Sequence, residues 1–193
     1  MMVKTLSKDP IMKSLIEKYG ELSLTESKDY FNDLINAIIG QLLSGKAAAT
    51  IYKRVVALCD GVTPEKILAV SDEALRAAGS SYGKIRCMKA LAQAVIDKAV
   101  DLENIKQYAD EEVIKQLTII KGIGRWTAEM FLIFSLARED VFSFGNGGLN
   151  SAINRLYGNG AALSKAEIKA ITDKWQPYRS YASLYLWESL DNR

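Results

Sequence analysis

The apolar residues of this chain recur almost everywhere at the helical period. Phe31, Leu34, Ile35, Ile38, Ile39 and Leu42 trace an i, i+3, i+4, i+7, i+8 stripe, the mark of a helix with one face in a core. Ser44 stands where it can cap a following helix that carries Ala47, Ala48, Ile51, Tyr52 and Val55 inward. Thr63-Pro64 pairs a capping hydroxyl with proline at the first helical position, and Ser71-Asp72-Glu73 opens a short helix that Gly79 ends. Lys84 to Val100 forms a longer amphipathic helix. Asp110-Glu111-Glu112 puts acids at the positive end of a helix that runs through Val113 to Ile119. Further helix-forming runs span Thr127 to Leu136 and Leu149 to Tyr157. Ser164-Lys165-Ala166-Glu167 fits a capping box, and Tyr178 to Leu190 closes the series after Pro177. No segment alternates convincingly with the period of a strand. The pattern predicts an all-α fold of about ten helices joined by short turns.

Two interruptions stand out. The first reads Ile119-Ile120-Lys121-Gly122-Ile123-Gly124-Arg125-Trp126-Thr127-Ala128. Two glycines flanking one apolar residue allow a tight turn and bare the first amide N–H groups of the next helix. Those donors, with the positive end of the helix dipole, suit a phosphate oxygen, and Lys121 and Arg125 add charge on either side. This is a helix-hairpin-helix grip on a nucleic-acid backbone, or an ordinary tight turn between packed helices. The second interruption, Asp140-Val141-Phe142-Ser143-Phe144-Gly145-Asn146-Gly147-Gly148-Leu149, sets three glycines around one amide. Such a stretch is poor helix material and permits close approach of a ligand. It is another ligand-facing turn or a plain connection, with helical character resuming at Leu149.

Composition narrows the chemistry. The 193 residues are 49% apolar and 25% charged, as in an ordinary globular protein of one domain or two small ones. Histidine is absent, which removes the usual general base, the usual zinc ligand and every Ser-His or Cys-His nucleophile. Cys59 and Cys87 are too few for a four-thiolate zinc or iron–sulfur site, and both lie in apolar helical stretches where burial is expected. No apolar run approaches the roughly 18 residues of a membrane span, and Met1 to Asp9 lacks the apolar centre of a secretory signal. A cytosolic setting follows. The net charge of +2 means that any DNA affinity comes from a local patch. Lys121 with Arg125 is one such patch. Lys84-Ile85-Arg86-Cys87-Met88-Lys89 is another, better read as a solvated helix face.

Four segments, taken in order, resemble the helix-hairpin-helix (HhH-GPD) DNA glycosylase superfamily, and within it the 3-methyladenine DNA glycosylase II branch. They are Leu34-Ile35-Asn36-Ala37-Ile38-Ile39-Gly40-Gln41-Leu42-Leu43-Ser44, the hairpin, the glycine-rich loop, and Trp175-Gln176-Pro177-Tyr178-Arg179-Ser180-Tyr181-Ala182. The likeness covers most of the chain. It implies two helical lobes, 31–136 with the hairpin and 1–30 plus 137–193, and an active-site cleft between them. It implies a monomer of the bacterial cytosol or nucleoid that acts on duplex DNA containing damaged bases, with no membrane partner and no required cofactor. By the same resemblance Gln41, Ser44, Lys121, Gly122, Ile123, Gly124, Arg125 and Thr127 meet the DNA. Leu42 is the wedge that enters the base stack, although it fits equally as a core leucine of the Phe31 stripe. Trp126, Met130 and Trp187 line the base pocket, where aromatic faces attract electron-poor and often cationic alkylated purines. Tryptophan at helical spacing is equally a core residue. The backbone carbonyls of Thr118, Ile120 and Ile123 would hold a Na+ or K+ beside a DNA phosphate.

Two positions define the branch. Strand-cleaving relatives carry, at the position of Trp126, a lysine that attacks the sugar as an amine; tryptophan cannot, so a monofunctional, water-using glycosylase is implied. The superfamily's essential aspartate aligns with Asn146. Cleavage of the C1′–base bond develops positive charge on the sugar, as in glycoside hydrolysis. A carboxylate about 4 Å away attracts that charge by roughly 4 kcal/mol at an effective dielectric of about 20, so an amide slows the step about a thousandfold. Asp140, the nearest acid, sits before the loop and reads as a helix-terminal or surface residue. The amide marks either a chain altered to trap a substrate complex or a naturally weak relative that binds damaged DNA. Competing functions are a non-catalytic damage-binding module, a glycosylase for oxidised guanine, uracil or hypoxanthine, and a helical scaffold unrelated to DNA.

Overall fold

The structure is a computed structural model that describes residues 1–191. Its helices are α1 (Met2–Leu6), α2 (Pro10–Tyr19), α3 (Tyr30–Gly40), α4 (Gly45–Cys59), α5 (Pro64–Ala69) and α6 (Asp72–Ala77). They continue with α7 (Tyr82–Ile96), α8 (Asp110–Thr118), α9 (Arg125–Phe134), α10 (Gly147–Tyr157), α11 (Lys165–Thr172) and α12 (Arg179–Asp191). Single 3₁₀ turns lie at Ile105–Gln107 and Asp173–Trp175, and no strand occurs among the described residues. The all-α class holds, with two helices beyond those the periodicity marks. The first, α1, is one turn long and too short to show a period. The second, α2, opens on Asp9-Pro10, the same cap-then-proline signal as Thr63-Pro64. No helix among the described residues is long and apolar enough to cross a membrane.

The caps explain most boundaries. Ser44, Thr63 and Ser71 each accept a backbone N–H three residues on, and Ser164 with Glu167 completes a capping box. Among the boundaries that differ from the periodic pattern, two have a clear local cause. Helix α7 stops at Ile96, short of Val100, because Lys98 takes a left-handed φ of 58°. Helix α10 begins at Gly147 rather than Leu149, since the Asn146 cap outweighs the poor propensity of two glycines.

The chain divides into two compact units, one of residues 27–131 and one of residues 1–26 with 132–193, the boundary falling inside α9. In the first, α3 packs on α4 and α7, and α7 also receives α5 and α6. Leu34, Ile35, Ile38 and Ile39 are fully buried along α3. Both free cysteines, Cys59 and Cys87, are buried in this unit. In the second, α12 packs on α2 and α10, with Tyr185 and Leu186 fully buried.

One carboxylate ties the second unit together. Asp9 Oδ1 accepts the N–H groups of Ile11 and Met12 at 2.9 and 3.2 Å, capping α2. Its Oδ2 accepts the Tyr157 hydroxyl at 2.8 Å and the fully buried Trp175 indole N–H at 3.1 Å. Burial first, and the Asp9 charge second, push the Tyr157 hydroxyl pKa up, so it remains a donor. Replacing Asp9 with alanine removes a cap and strands two donors. The expected cost is about 3 kcal/mol in urea denaturation.

Candidate nucleic-acid interface

The hairpin joins the end of α8 to the start of α9, its turn closed by the Ile123 N–H donating to the Ile120 carbonyl at 2.9 Å. Gly122 has φ 108°, and a Cβ there would lie 2.8 Å from Cys87 Sγ. Backbone and neighbour both demand glycine. Gly124 differs, having no positive φ and open space beside it. Its bare Cα leaves the first amides of α9 unshielded for an anion. The Ile120 and Ile123 side chains are buried, whereas Lys121 and the Thr118 side chain are exposed.

Three residues that the resemblance sets against DNA, Arg125, Thr127 and Gln41, make bonds within the hairpin region. The Arg125 guanidinium donates to Glu111 at 3.0 and 2.5 Å and to Glu129 at 2.9 Å. The Glu111 bonds are the main cause of its raised pKa, and in return they lower that of Glu111. An arginine held by two carboxylates adds less net attraction for phosphate than an unpaired one. Thr127 is 4% exposed, and its hydroxyl accepts from Gln41 Nε2 at 3.3 Å. The same Gln41 amide donates to the Gly122 carbonyl at 3.0 Å. Lys84 and Lys89 of the other basic group are engaged as well. Lys84 Nζ donates to the Ile39 carbonyl at 2.7 Å, burial lowering its pKa, and Lys89 pairs with Asp72 at 2.5 Å.

Leu42 is no core residue. It sits past the end of α3 with φ 58° and a side chain 104% exposed. A left-handed leucine in solvent costs roughly 1–2 kcal/mol and gains no burial. Folding does not explain it. Leu43 beside it is also exposed, and Ser44 follows as the α4 cap.

The second unit carries position 146. The start of its loop is fastened to the start of α12: Asp140 takes a forked pair of bonds from Arg179 at 2.7 and 3.0 Å, and Ser180 Oγ accepts the Val141 N–H at 2.9 Å. Asp140 is therefore structural. At the loop's end Asn146 Oδ1 accepts the Leu149 N–H at 2.9 Å, and Asn150 Nδ2 donates to the Phe144 carbonyl at 3.0 Å. A Cβ on Gly148 would stand 3.1 Å from Asn146 Oδ1 and 3.6 Å from Trp187 Nε1. The bare glycine thus sits between amide and indole. Trp187 and Phe134 have ring centroids 5.5 Å apart, tilted by 32°. With Glu21, Leu22, Ser23, Leu184 and Glu188 they line a cavity of about 500 Å³. Trp126, 46% exposed, and Met130 precede Phe134 on α9 by two turns and one turn, outside this lining. Phe134 is the residue that the sequence reading passes over. Its signal is the i+4 spacing from Met130 and the i+8 spacing from Trp126.

Residues 35–177 match the family model described as HhH-GPD superfamily base excision DNA repair protein. The chain belongs to this family. Among HhH-GPD proteins it is 34% identical to DNA-3-methyladenine glycosylase 1 of Schizosaccharomyces pombe, over 91% of this chain and 78% of that protein. The crystal structure of a Bacillus halodurans DNA-3-methyladenine glycosidase superposes with TM-score 0.88 and 41% identity, covering 99% of this chain and 89% of the other. The S. pombe 3-methyladenine DNA glycosylase Mag1 in complex with abasic DNA superposes with TM-score 0.88 and 32% identity, covering 98% and 96%. Among the described residues no group of three or more His, Cys, Asp or Glu side chains is placed to hold a metal.

Two outcomes follow for this HhH-GPD chain. Gly122→Ala meets both the φ penalty and the Cys87 clash, and should lose about 2 kcal/mol in urea denaturation. Adding Cys87→Ala should restore only the steric part. Leu42→Gly relieves the left-handed backbone, so melting should show stability unchanged or raised by about 0.5 kcal/mol. Its affinity for abasic-site duplex, read by fluorescence anisotropy, should nevertheless fall. A large loss of stability would mean that Leu42 packs.

Proposed function

We propose that this chain recognises alkylated purines in duplex DNA as a monofunctional N-glycosylase of the 3-methyladenine type, its turnover impaired by the amide at position 146. The observation that carries the reading is Asn146 capping α10 while Gly148 brings the Trp187 indole close to it. The relatives' names agree with it. In this reading the unit of residues 27–131 grips the duplex. Lys121 and the α9 amides take phosphate, and Leu42 fills the gap left by the extruded nucleotide. The Phe134–Trp187 pair takes the base by stacking.

Chemistry falls to position 146. When the C1′–base bond breaks, its electron pair leaves with the base and positive charge gathers on the sugar. A side chain whose one oxygen caps the helix presents its other end to the substrate. With asparagine that end is Nδ2, the positive end of the amide dipole, so the loss exceeds the mere absence of a charge. An aspartate there keeps the cap and, favoured by the helix dipole, turns an ionised oxygen outward. Water completes the reaction, and Trp126 offers no amine for a lyase step.

The carbonyls of Thr118, Ile120 and Ile123 are our proposed ligands for a Na+ or K+; the hard oxygen donors suit such an ion, and it would supply charge beside a phosphate. We also propose that the protein acts as a monomer in the cytosol or nucleoid. A second reading, a damage-binding module without turnover, is favoured by the amide alone.

Asn146→Asp decides between them. It should release 3-methyladenine or 7-methylguanine from methylated duplex about a thousandfold faster than the parent chain and leave the strand uncut. Tight, salt-sensitive binding with no released base would instead establish the binding module.

A further inference from the structure

A second cavity, of about 510 Å³, opens beside the start of α2 and is lined by Lys8, Asp9, Pro10, Ile11, Tyr157 and Lys174. All six belong to the unit of residues 1–26 with 132–193, and none has a part in the site proposed above. The volume lies in the range of small-ligand pockets. The walls are mostly apolar, with Pro10 exposed and Ile11 and Tyr157 half-buried. Tyr157 is held from behind. Its ring centroid lies 5.9 Å from that of Trp175, and its hydroxyl donates to Asp9.

The charges favour an anion. Lys8 and Lys174 are exposed and have no partner among the described residues. The Asp9 charge is shared among the four donors that its two oxygens already accept. Asp173, next to Lys174 in sequence, is taken by Lys169 at 2.6 Å. Two unpaired ammonium groups beside an apolar recess suit a phosphate monoester, which carries roughly −1.5 to −2 charge at pH 7. The Tyr157 proton is committed, so the ammonium groups hold the only uncommitted donors among the lining side chains. A ring would therefore be accepted by contact with Tyr157, without its edges being read. An extended peptide finds little to pair with, since Pro10 has no N–H and that of Ile11 goes to Asp9. We infer that this cavity binds a nucleoside phosphomonoester, its phosphate on Lys8 and Lys174 and its base against the Tyr157 ring. A free nucleotide and the 5′-phosphorylated end of a DNA strand offer the same chemistry. The inference does not depend on the glycosylase reading.

Titration of the intact chain tests it, with the Trp175 indole N–H resonance followed by NMR. That N–H shares Asp9 Oδ2 with the Tyr157 hydroxyl, so it reports on the cavity. AMP should bind about tenfold more tightly than adenosine or inorganic phosphate. Lys8→Gln and Lys174→Gln should each weaken AMP about two- to fivefold at unchanged melting temperature, while Lys8→Arg with Lys174→Arg keeps the affinity. A trithymidylate with and without a 5′-phosphate separates the two sources. Tighter binding of its phosphorylated form assigns strand ends to the site, and a phosphate effect confined to AMP assigns the free nucleotide. The inference is overturned by the lack of a phosphate effect in both pairs. A preference that survives both Gln substitutions, or a response at Trp187 with none at Trp175, overturns it equally.

Discussion

The hydrogen bond from the Leu149 N–H to Asn146 Oδ1 sets what this molecule can do. It starts α10 two residues earlier than the glycines would favour, and it turns one end of the side chain into the helix. Whatever the other end is, acceptor or donor, charged or neutral, becomes the group offered outward. The fold tolerates either amide or carboxylate there, because both supply the capping oxygen, while the reaction we propose would distinguish them by the charge on the opposite atom.

The loop that delivers this residue is held at both ends by side chains that lie outside it. Arg179 and Ser180 fix its beginning, and Asn150 fixes the Phe144 carbonyl near its end. The hairpin of the other unit is treated in the same way. Gln41 spans from the end of α3 to the Gly122 carbonyl and Thr127, while Glu111 and Glu129 grip Arg125. Side chains that the sequence offers as ligands for DNA also hold the backbone of the turn in place.

Much of this was legible before any coordinates. Period and caps predict ten of the helices, because amphipathic stripes and Ser/Thr caps act locally. They miss α1, which is too short for a stripe, and α2, although its Asp9-Pro10 start carries the same local signal as Thr63-Pro64. Gly122 was readable as a turn residue, but its contact with Cys87 was not. Leu42 fits the α3 stripe by spacing and leaves it in fact, since the helix ends at Gly40. Arg125 shows the limit most plainly. Its charge is visible in the sequence, and the two acids that absorb it are placed only by folding. Phe134 was available from its spacing, yet its pairing with Trp187 depends on a residue more than fifty positions away.

The close seat of Gly122 on Cys87 has a chemical corollary. Burial pushes the thiol up to about 11 and keeps it from solvent, so the thiolate that electrophiles seek is scarce at neutral pH. Any adduct on that sulfur would need the room that even a single Cβ at Gly122 lacks. Alkylating electrophiles thus find the one sulfur that touches the hairpin turn nearly inert.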